Sequence, residues 1–438
     1  MNILIQNGRV MDPASGFDHT ADVAVADGHI VAMVKGDEKL PANFKAEQTI
    51  DAKGCIVAPG LVDLQVRLRE PGHEHEGMLA SELTAAVAGG VTSLVCPPDT
   101  DPVLDEPGLI EMLKFRAEKL HCARVFPLGA LTRGLKGEVL TEMSDLTDAG
   151  CVGFIQAEVP LENTQVLQRA LQYASTFGYT VWLRPQDMHL GKGVAASGPL
   201  ATRLGLSGVP VAAETIALHA IFALMRATRA RVHLCRISSA EGVALVRAAK
   251  QEGLAVTADV SINSLLLSDH DIGYFDSRAR VTPVLRQQRD RDALRAALAD
   301  GTLDALVSDH TPIDNDGKAL PFAEAESGAT GLELLLSLSL KWAQDSKVSV
   351  LRALDVLTAQ PAKVLGKVQG HSTSLGQLHV GGVADIVVFD PAAEWQVTPD
   401  ALHSQGKHTP FAFDMTGMVL PARVKATLVA GRIAYRLA

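Results

Sequence analysis

Apolar and polar positions change their rhythm twice along this chain. Over about the first 50 residues, short alternating runs such as "ILIQNGRVMD", "ADVAVADGHIVAMV" and "QTIDAKG" are separated by Asn-Gly, Asp-Gly and Lys-Gly turns, the chemistry of β-hairpins. The tail repeats this style in "LGQLHVGGVADIVVFDP", "WQVTPD" and "VKATLVAGRIAYRLA". Between them, from about Val57 to about Leu365, compact apolar runs alternate with stretches of helical period. "GVTSLVCPPD" follows "MLASELTAAVAGG", "YTVWLRPQD" follows "NTQVLQRALQYASTFG", and "ARVHLCRISS" follows "ETIALHAIFALMRATR". "LAVTADVS" follows "AEGVALVRAAKQEG", and "LDALVSDHTP" follows "DRDALRAALADG".

Strands alternating with helices predict a parallel sheet with crossover helices. Roughly seven or eight such units fit an α/β fold of the closed (β/α)8 TIM-barrel type. Periodicity does not show closure, so an open doubly wound sheet is the alternative. The two β-rich ends are expected to pair into one small discontinuous β domain, residues 1–56 with 368–438, beside a barrel over 57–367. "GHSTSLGQL" reads as the boundary. "QRDRDALRAALADG" has the charged face and the Ala/Leu face of an outer barrel helix.

Composition narrows the function classes. The 438 residues are 47% hydrophobic and 21% charged, as in a globular protein with a sizeable core. A net charge of −10 and only 4% aromatics argue against nucleic acid or an anionic membrane as partner. No uninterrupted apolar run reaches the ~18 residues of a spanning helix, and "MNILIQNGRVMDPASG" begins as a strand rather than a secretory leader. Five scattered cysteines, with no C-x-x-C, suggest structural thiols in a reducing, cytoplasmic compartment.

A barrel of this type keeps its chemistry where strands end and loops begin. A hydrolytic metal pair there needs histidines, carboxylates or a modified lysine. The strand ends offer something else. "DLQVRLREPG" presents Gln65 and Arg67, "GFIQAE" presents Gln156 and Ala157, "VWLRPQD" presents Arg184, and "HLCRISS" presents Arg236. Glutamine is a poor zinc ligand, and a guanidinium has no lone pair to give. "SDHTP" alone keeps an ionisable pair, Asp309 and His310, without a Ser or Cys nucleophile frame. His73 and His75 in "GHEHEG" read as ordinary loop residues, with a relocated metal site as the alternative. His233 reads as a packed structural histidine, and Cys96 and Cys235 as buried thiols.

Several frames in order carry a resemblance over essentially the whole chain. "PGLVDLQVRLREPG", "GVTSLVCPPDTDP", "VHLCRISSAEGV", "RVTPVLRQQRDRDALRAALADGTLDALVSDHTP" and "GKHTPF" resemble successive segments of the dihydroorotases, members of the amidohydrolase superfamily. The first resembles the family's H-V-H-L-R-E-P-G strand, and the second its M-P-N-T strand with Pro97 and Asp99 substituted. Carried over position by position, the metal ligands fall at Gln65, Arg67, Gln156 or Ala157, Arg184, Arg236 and Asp309. Only Asp309, which the family uses as ligand and proton shuttle, is kept. Of the substrate-binding set, Arg69, Arg286 and His310 match, whereas Asp99, Thr282 and Ile313 replace two asparagines and a histidine.

The pattern is similar to a branch of that family, the non-catalytic dihydroorotase-like subunit of bacterial aspartate carbamoyltransferase. The resemblance implies a pseudoenzyme without metal or other cofactor. It also implies a partner, the transcarbamoylase catalytic chain, and an oligomer with it, with a homodimer a further option. Arg67, Arg184 and Arg236 are expected to replace the lost cations by pairing with Asp309 and with Asp187. An active cyclic amide hydrolase with a single or atypical zinc is the alternative. A third reading is an anion sensor in which Arg69 and Arg286 hold a carboxylate or phosphate.

Overall fold

The computed structural model describes residues 1–36, 38–366, 375–412 and 417–437. The boundary expected at "GHSTSLGQL", residues 370–378, lies largely outside them, as does the expected change of domain at 367/368.

The alternating runs at the start form β1 (Ile3–Asp12), β2 (Phe17–Ala26), β3 (His29–Lys35), β4 (Gln48–Asp51) and β5 (Ile56–Pro59). Those at the end form β17 (Ile386–Gln396), β18 (Val419–Val429) and β19 (Arg432–Arg436). They join in one sheet of order β19-β18-β17-β5-β1-β2-β3, with β4 against β1. The sheet therefore takes strands from both ends, and it runs to Pro59, past residue 56. Alternation works here as expected: Ile3, Ile5, Val10, Val23, Val25, Ile30, Val57, Ile386, Val388 and Leu428 share one buried cluster.

The middle of the chain supplies parallel strands β6 (Leu61–Asp63), β7 (Val91–Cys96), β8 (Arg124–Pro127), β9 (Gly129–Ala130), β10 (Phe154–Ile155) and β11 (Thr180–Leu183). A short pair, β12 (Ala195–Ala196) and β13 (Gly208–Val209), stands apart. The series continues with β14 (Arg231–Leu234), β15 (Val256–Ser261) and β16 (Ala305–Val307). First and last strands meet: Arg67 donates its backbone N–H to His310 O at 2.9 Å beside a parallel bridge between Val66 and His310. This contact closes the barrel and removes the open-sheet alternative.

Helices form where the period predicted them. Residues Thr164–Phe177 start at Asn163, whose carboxamide accepts from the N–H groups of Gln165 and Val166, and stop at Gly178 in the left-handed conformation. Val62, Leu64, Val95, Phe126, Leu128, Ile155, Trp182, Cys235 and Val307 plug the barrel from inside. Each large side chain there stabilises by about 1.5–3 kcal/mol through burial. No helix among the described residues is long and apolar enough to cross a membrane.

Candidate functional site

Above that plug, three guanidinium groups from three strand ends converge on one carboxylate. Glu158 Oε1 accepts from Arg67 Nη2 at 2.8 Å and from Arg236 Nη2, while Arg184 Nε lies 2.7 Å from Glu158 Oε2. The last is an ion pair whose N–H is not aligned as a hydrogen bond. Arg236 Nη1 reaches Asp309 Oδ1 at 2.9 Å and Thr282 O at 3.2 Å. Arg67 also donates from Nε to Asp99 Oδ2 at 2.8 Å and from Nη1 to Thr311 Oγ1 at 3.1 Å. The charges balance, with Arg67, Arg184 and Arg236 against Asp99, Glu158 and Asp309.

The electrostatics follow from this geometry. Desolvation works to raise the Glu158 pKa, but attraction to Arg236, Arg184 and Arg67 outweighs it and holds the carboxyl well below its usual range. At Asp309 desolvation prevails over Arg236 and Arg67 and lifts the group to about 6. Arg184 is lowered, because desolvation exceeds what Glu158 returns. For Arg67 and Arg236 the several carboxylates overcome desolvation and raise the pKa.

Glu158 is the residue that sequence reasoning missed, because strand counting stopped at Gln156 and Ala157. Ala157 has φ +51°, and this left-handed turn carries Glu158 into the mouth. Arg69, Arg236 and Asp309, at +64°, +58° and +53°, share that conformation at three other strand ends. Such backbone costs a side-chain-bearing residue about 1–2 kcal/mol, and its recurrence around one rim marks an inherited site geometry. An acid within three residues of a strand end was the available signal.

Other expectations need correction. Asp187 stays out of the cluster: its carboxylate accepts from the backbone N–H groups of His189 and Leu190. Gln156 turns aside, accepting from the Thr132 hydroxyl at 2.9 Å and donating to Leu135 O at 2.8 Å. Gln65 is buried, with both amide atoms lacking a hydrogen-bond partner. His310 does not join Asp309 in the mouth. Its Nδ1 accepts from the Gly331 N–H at 3.2 Å, so Nε2 donates to Glu82 Oε2 at 2.7 Å. Glu82 also accepts from the Ser404 hydroxyl, which ties this network to the frame that contains "GKHTPF".

Arg69 and Arg286 do not combine into one anion pocket. Arg69 Nε faces Glu76 Oε2 at 3.0 Å and donates to Pro312 O, whereas Arg286 Nε donates to Ser238 Oγ at 2.9 Å. The mouth cavity, about 170 Å³, is lined by Arg67, Arg69, Asp99, Glu158, Arg236 and Asp309 among others, while Arg286 lines a separate space of about 40 Å³. Thr282 and Asp99 do line the mouth, Thr282 holding Ser327 Oγ at 2.6 Å. The volume is under the ~300 Å³ of ordinary ligand pockets, and its charges already pair internally.

A hydrolytic metal pair does not fit this donor set. The carboxylates Glu158 and Asp309 are committed to guanidinium groups, Gln65 is a poor ligand, Gln156 is bonded elsewhere, and the other positions carry arginine. His233, buried on the strand that leads to Arg236, is held between Thr257 Oγ1 and Asp259 Oδ2, each at 2.8 Å. Beside it, burial pushes the Cys235 thiol well above its ordinary pKa.

Comparisons with known proteins agree with this architecture. A family model described as dihydro-orotase-like matches residues 54–242, and one described as the amidohydrolase family matches residues 207–435. A "Dihydroorotase-like protein" of Pseudomonas aeruginosa is 42% identical over 99% of this chain and 100% of its own length. A "Dihydroorotase" of Geobacter sp. is 39% identical, covering 100% of both chains. Among solved structures, the L-hydantoinase (dihydropyrimidinase) of Arthrobacter aurescens superposes with a TM-score of 0.86 at 23% identity, over 100% of this chain and 97% of that one. The dihydropyrimidinase of Brevibacillus agri gives 0.82 at 22%, over 100% and 95%. These two show the fold: a TIM barrel with a β domain. With its full-length relatives and its rim of altered ligand positions, the chain belongs to the dihydroorotase family of the amidohydrolase superfamily.

Proposed function

We propose that this chain is a catalytically inactive dihydroorotase-type protein, an assembly subunit for aspartate carbamoyltransferase in de novo pyrimidine biosynthesis. One observation carries the inactive part. Guanidinium groups stand at three positions where the family resemblance puts metal ligands, and they are neutralised by Glu158 and Asp309. Water bound to a metal would need those carboxylates, and displacing buried arginines from them is expensive. The partner rests on the resemblance to the non-catalytic branch and implies a hetero-oligomer. The relative named "Dihydroorotase-like protein" is consistent with it.

A second reading is an active dihydroorotase with an atypical metal, favoured by full-length relatives that are named "Dihydroorotase". One experiment separates the two. The chain is co-expressed with the aspartate carbamoyltransferase catalytic chain of the same genome, and dihydroorotate turnover is measured with and without added zinc. Co-purification with raised transcarbamoylase activity and no turnover supports the subunit. Zinc-dependent turnover, or failure to associate, overturns it.

A further inference from the structure

Outside the filled mouth, the loop after the first barrel strand gathers a second set of donors. His73, His75 and Glu76 each place one ligand atom within 4.8 Å of the others. The two imidazole rings have centroids 6.1 Å apart. The loop is held before any ion arrives. His73 donates its N–H to Arg69 O at 2.9 Å, Glu76 donates to His73 O at 3.0 Å, and Gly77 to the same oxygen at 3.3 Å. From across the barrel rim, Gln405 Nε2 donates to Glu74 O and His75 O, both at 2.9 Å. The backbone is therefore fixed on two sides while the side chains stay adjustable: Glu76 is buried, His73 half-buried and His75 exposed.

Charge also favours a cation. Glu76 faces the carboxyl of Glu326 and the guanidinium of Arg69, and Glu74 adds a third carboxylate nearby, bound to the Gly72 N–H. Arg69 is the cation that now faces Glu76, so a metal ion would take over that pairing while the two imidazoles complete the donor set. Zinc takes two histidines and one carboxylate with bonds of about 2.0–2.2 Å, and water completes the tetrahedron. Drawing the donors from their present spacing to that shell needs rotation of the exposed His75 and the half-buried His73, and release of the buried Glu76 carboxylate from Arg69.

We propose that His73, His75 and Glu76 form a transition-metal site of the zinc class on the barrel rim, separate from the arginine-filled mouth. Bound there, the ion cross-links residues 73–76 and fixes the loop after the first strand, which Gln405 already holds from the other side. It stabilises that junction, since an ion that binds the folded chain alone shifts the folding equilibrium. The site shares no ligand with the positions of the lost hydrolytic pair, where Arg67, Arg184 and Arg236 stand.

The test uses the purified full-length chain, stripped with a chelator, loaded with zinc chloride at pH 7.5 and desalted. Metal content, zinc titration calorimetry and the visible spectrum of the cobalt(II) form are recorded. The wild type is expected to retain about one ion per chain, the composition of a mononuclear site, and to melt at a higher temperature with zinc than without. His73→Ala/His75→Ala is expected to lose retention and the zinc-induced shift while keeping the metal-free melting temperature, and Glu76→Gln to lose both from a lower metal-free melting temperature, because Arg69 loses its partner. Wild-type protein without retained ion, or ion held equally by the double variant or by Glu76→Gln, overturns the site. None of these readouts depends on hydrolase activity, so the result stands apart from the subunit assignment.

Discussion

Two buried charge networks flank the same barrel mouth, and they differ in what the sequence could say about them. In the first, Arg67, Arg184 and Arg236 surround Glu158 and Asp309. In the second, Glu82, entirely buried, is held by His310, Ser404 and the Gln405 N–H. The first is a charge-balanced cluster at positions where the family resemblance puts metal ligands. The second fastens the segment around Ser404 to the barrel through a histidine whose neighbour Asp309 looks catalytic in one dimension. Desolvation alone would raise Glu82, but the bonds from His310, Ser404 and Gln405 bring it below its ordinary pKa. Two acid–base networks a few residues apart thus pair their charges internally, one among arginines and one through a histidine and a serine.

The largest effect is expected at Arg236, whose side chain is 1% exposed and bonds both Glu158 and Asp309. Arg236→Ala should cost about 3–5 kcal/mol by leaving carboxylates unpaired in a confined space, read from chemical denaturation. An unchanged midpoint would refute the view that the cluster holds the mouth together.

Glu158→Gln comes next. Its side chain is a third exposed although Oε2 is buried, so solvent screening reduces the loss to about 2–4 kcal/mol. The pH dependence sharpens this. The folded-state pKa of Glu158 is depressed, so its contribution is present above the unfolded value of ~4.5 and is lost as pH falls below it toward the folded pKa. Asp309, raised to about 6, works in the opposite sense. Its folded state binds the proton more tightly, so stability declines as pH rises from ~4 to ~6. Glu158→Gln should flatten the acid limb of the stability profile, and Asp309→Asn the limb between pH 4 and 6.

For the second network, His310→Ala should cost about 1–3 kcal/mol, the penalty for stranding Glu82 and the Gly331 N–H. Amide hydrogen exchange should speed up around residues 402–409. If exchange quickened near Glu158 instead, the two networks would be one. The smallest change is expected at Asp187→Asn, within about 0.5 kcal/mol, because Asp187 only caps a surface turn. A loss like that of Glu158→Gln would return Asp187 to the cluster.

Much of the fold was legible because burial imposes period. The Asp27-Gly28 hairpin, the Ala-rich helices and the apolar strand runs solve local problems with local signals, whereas Asn7-Gly8 is a bulge inside β1 and Lys53-Gly54 joins two strands parallel to β1 rather than turning a hairpin. The site was legible in its losses: Gln65, Arg67, Arg184 and Arg236 cannot supply what a metal needs, whatever the fold does around them. Its gains were less legible. Glu158 lay three residues beyond the last residue of β10, and alternation fails where Ala157 adopts φ +51°. His310 was misplaced for the same reason, since Asp309 at φ +53° separates two neighbouring side chains into different networks.

The sequence by itself determined the alternating architecture, the family frames and the disappearance of the metal ligands, because each depends on residue type and spacing along one strand. The closed barrel, the choice of Glu158 over Asp187 and the turning of His310 toward Glu82 were decided by tertiary structure. Charges removed from water select partners by distance in space. Here that distance was set by left-handed turns and by strands far apart in the chain, to which no local pattern has access.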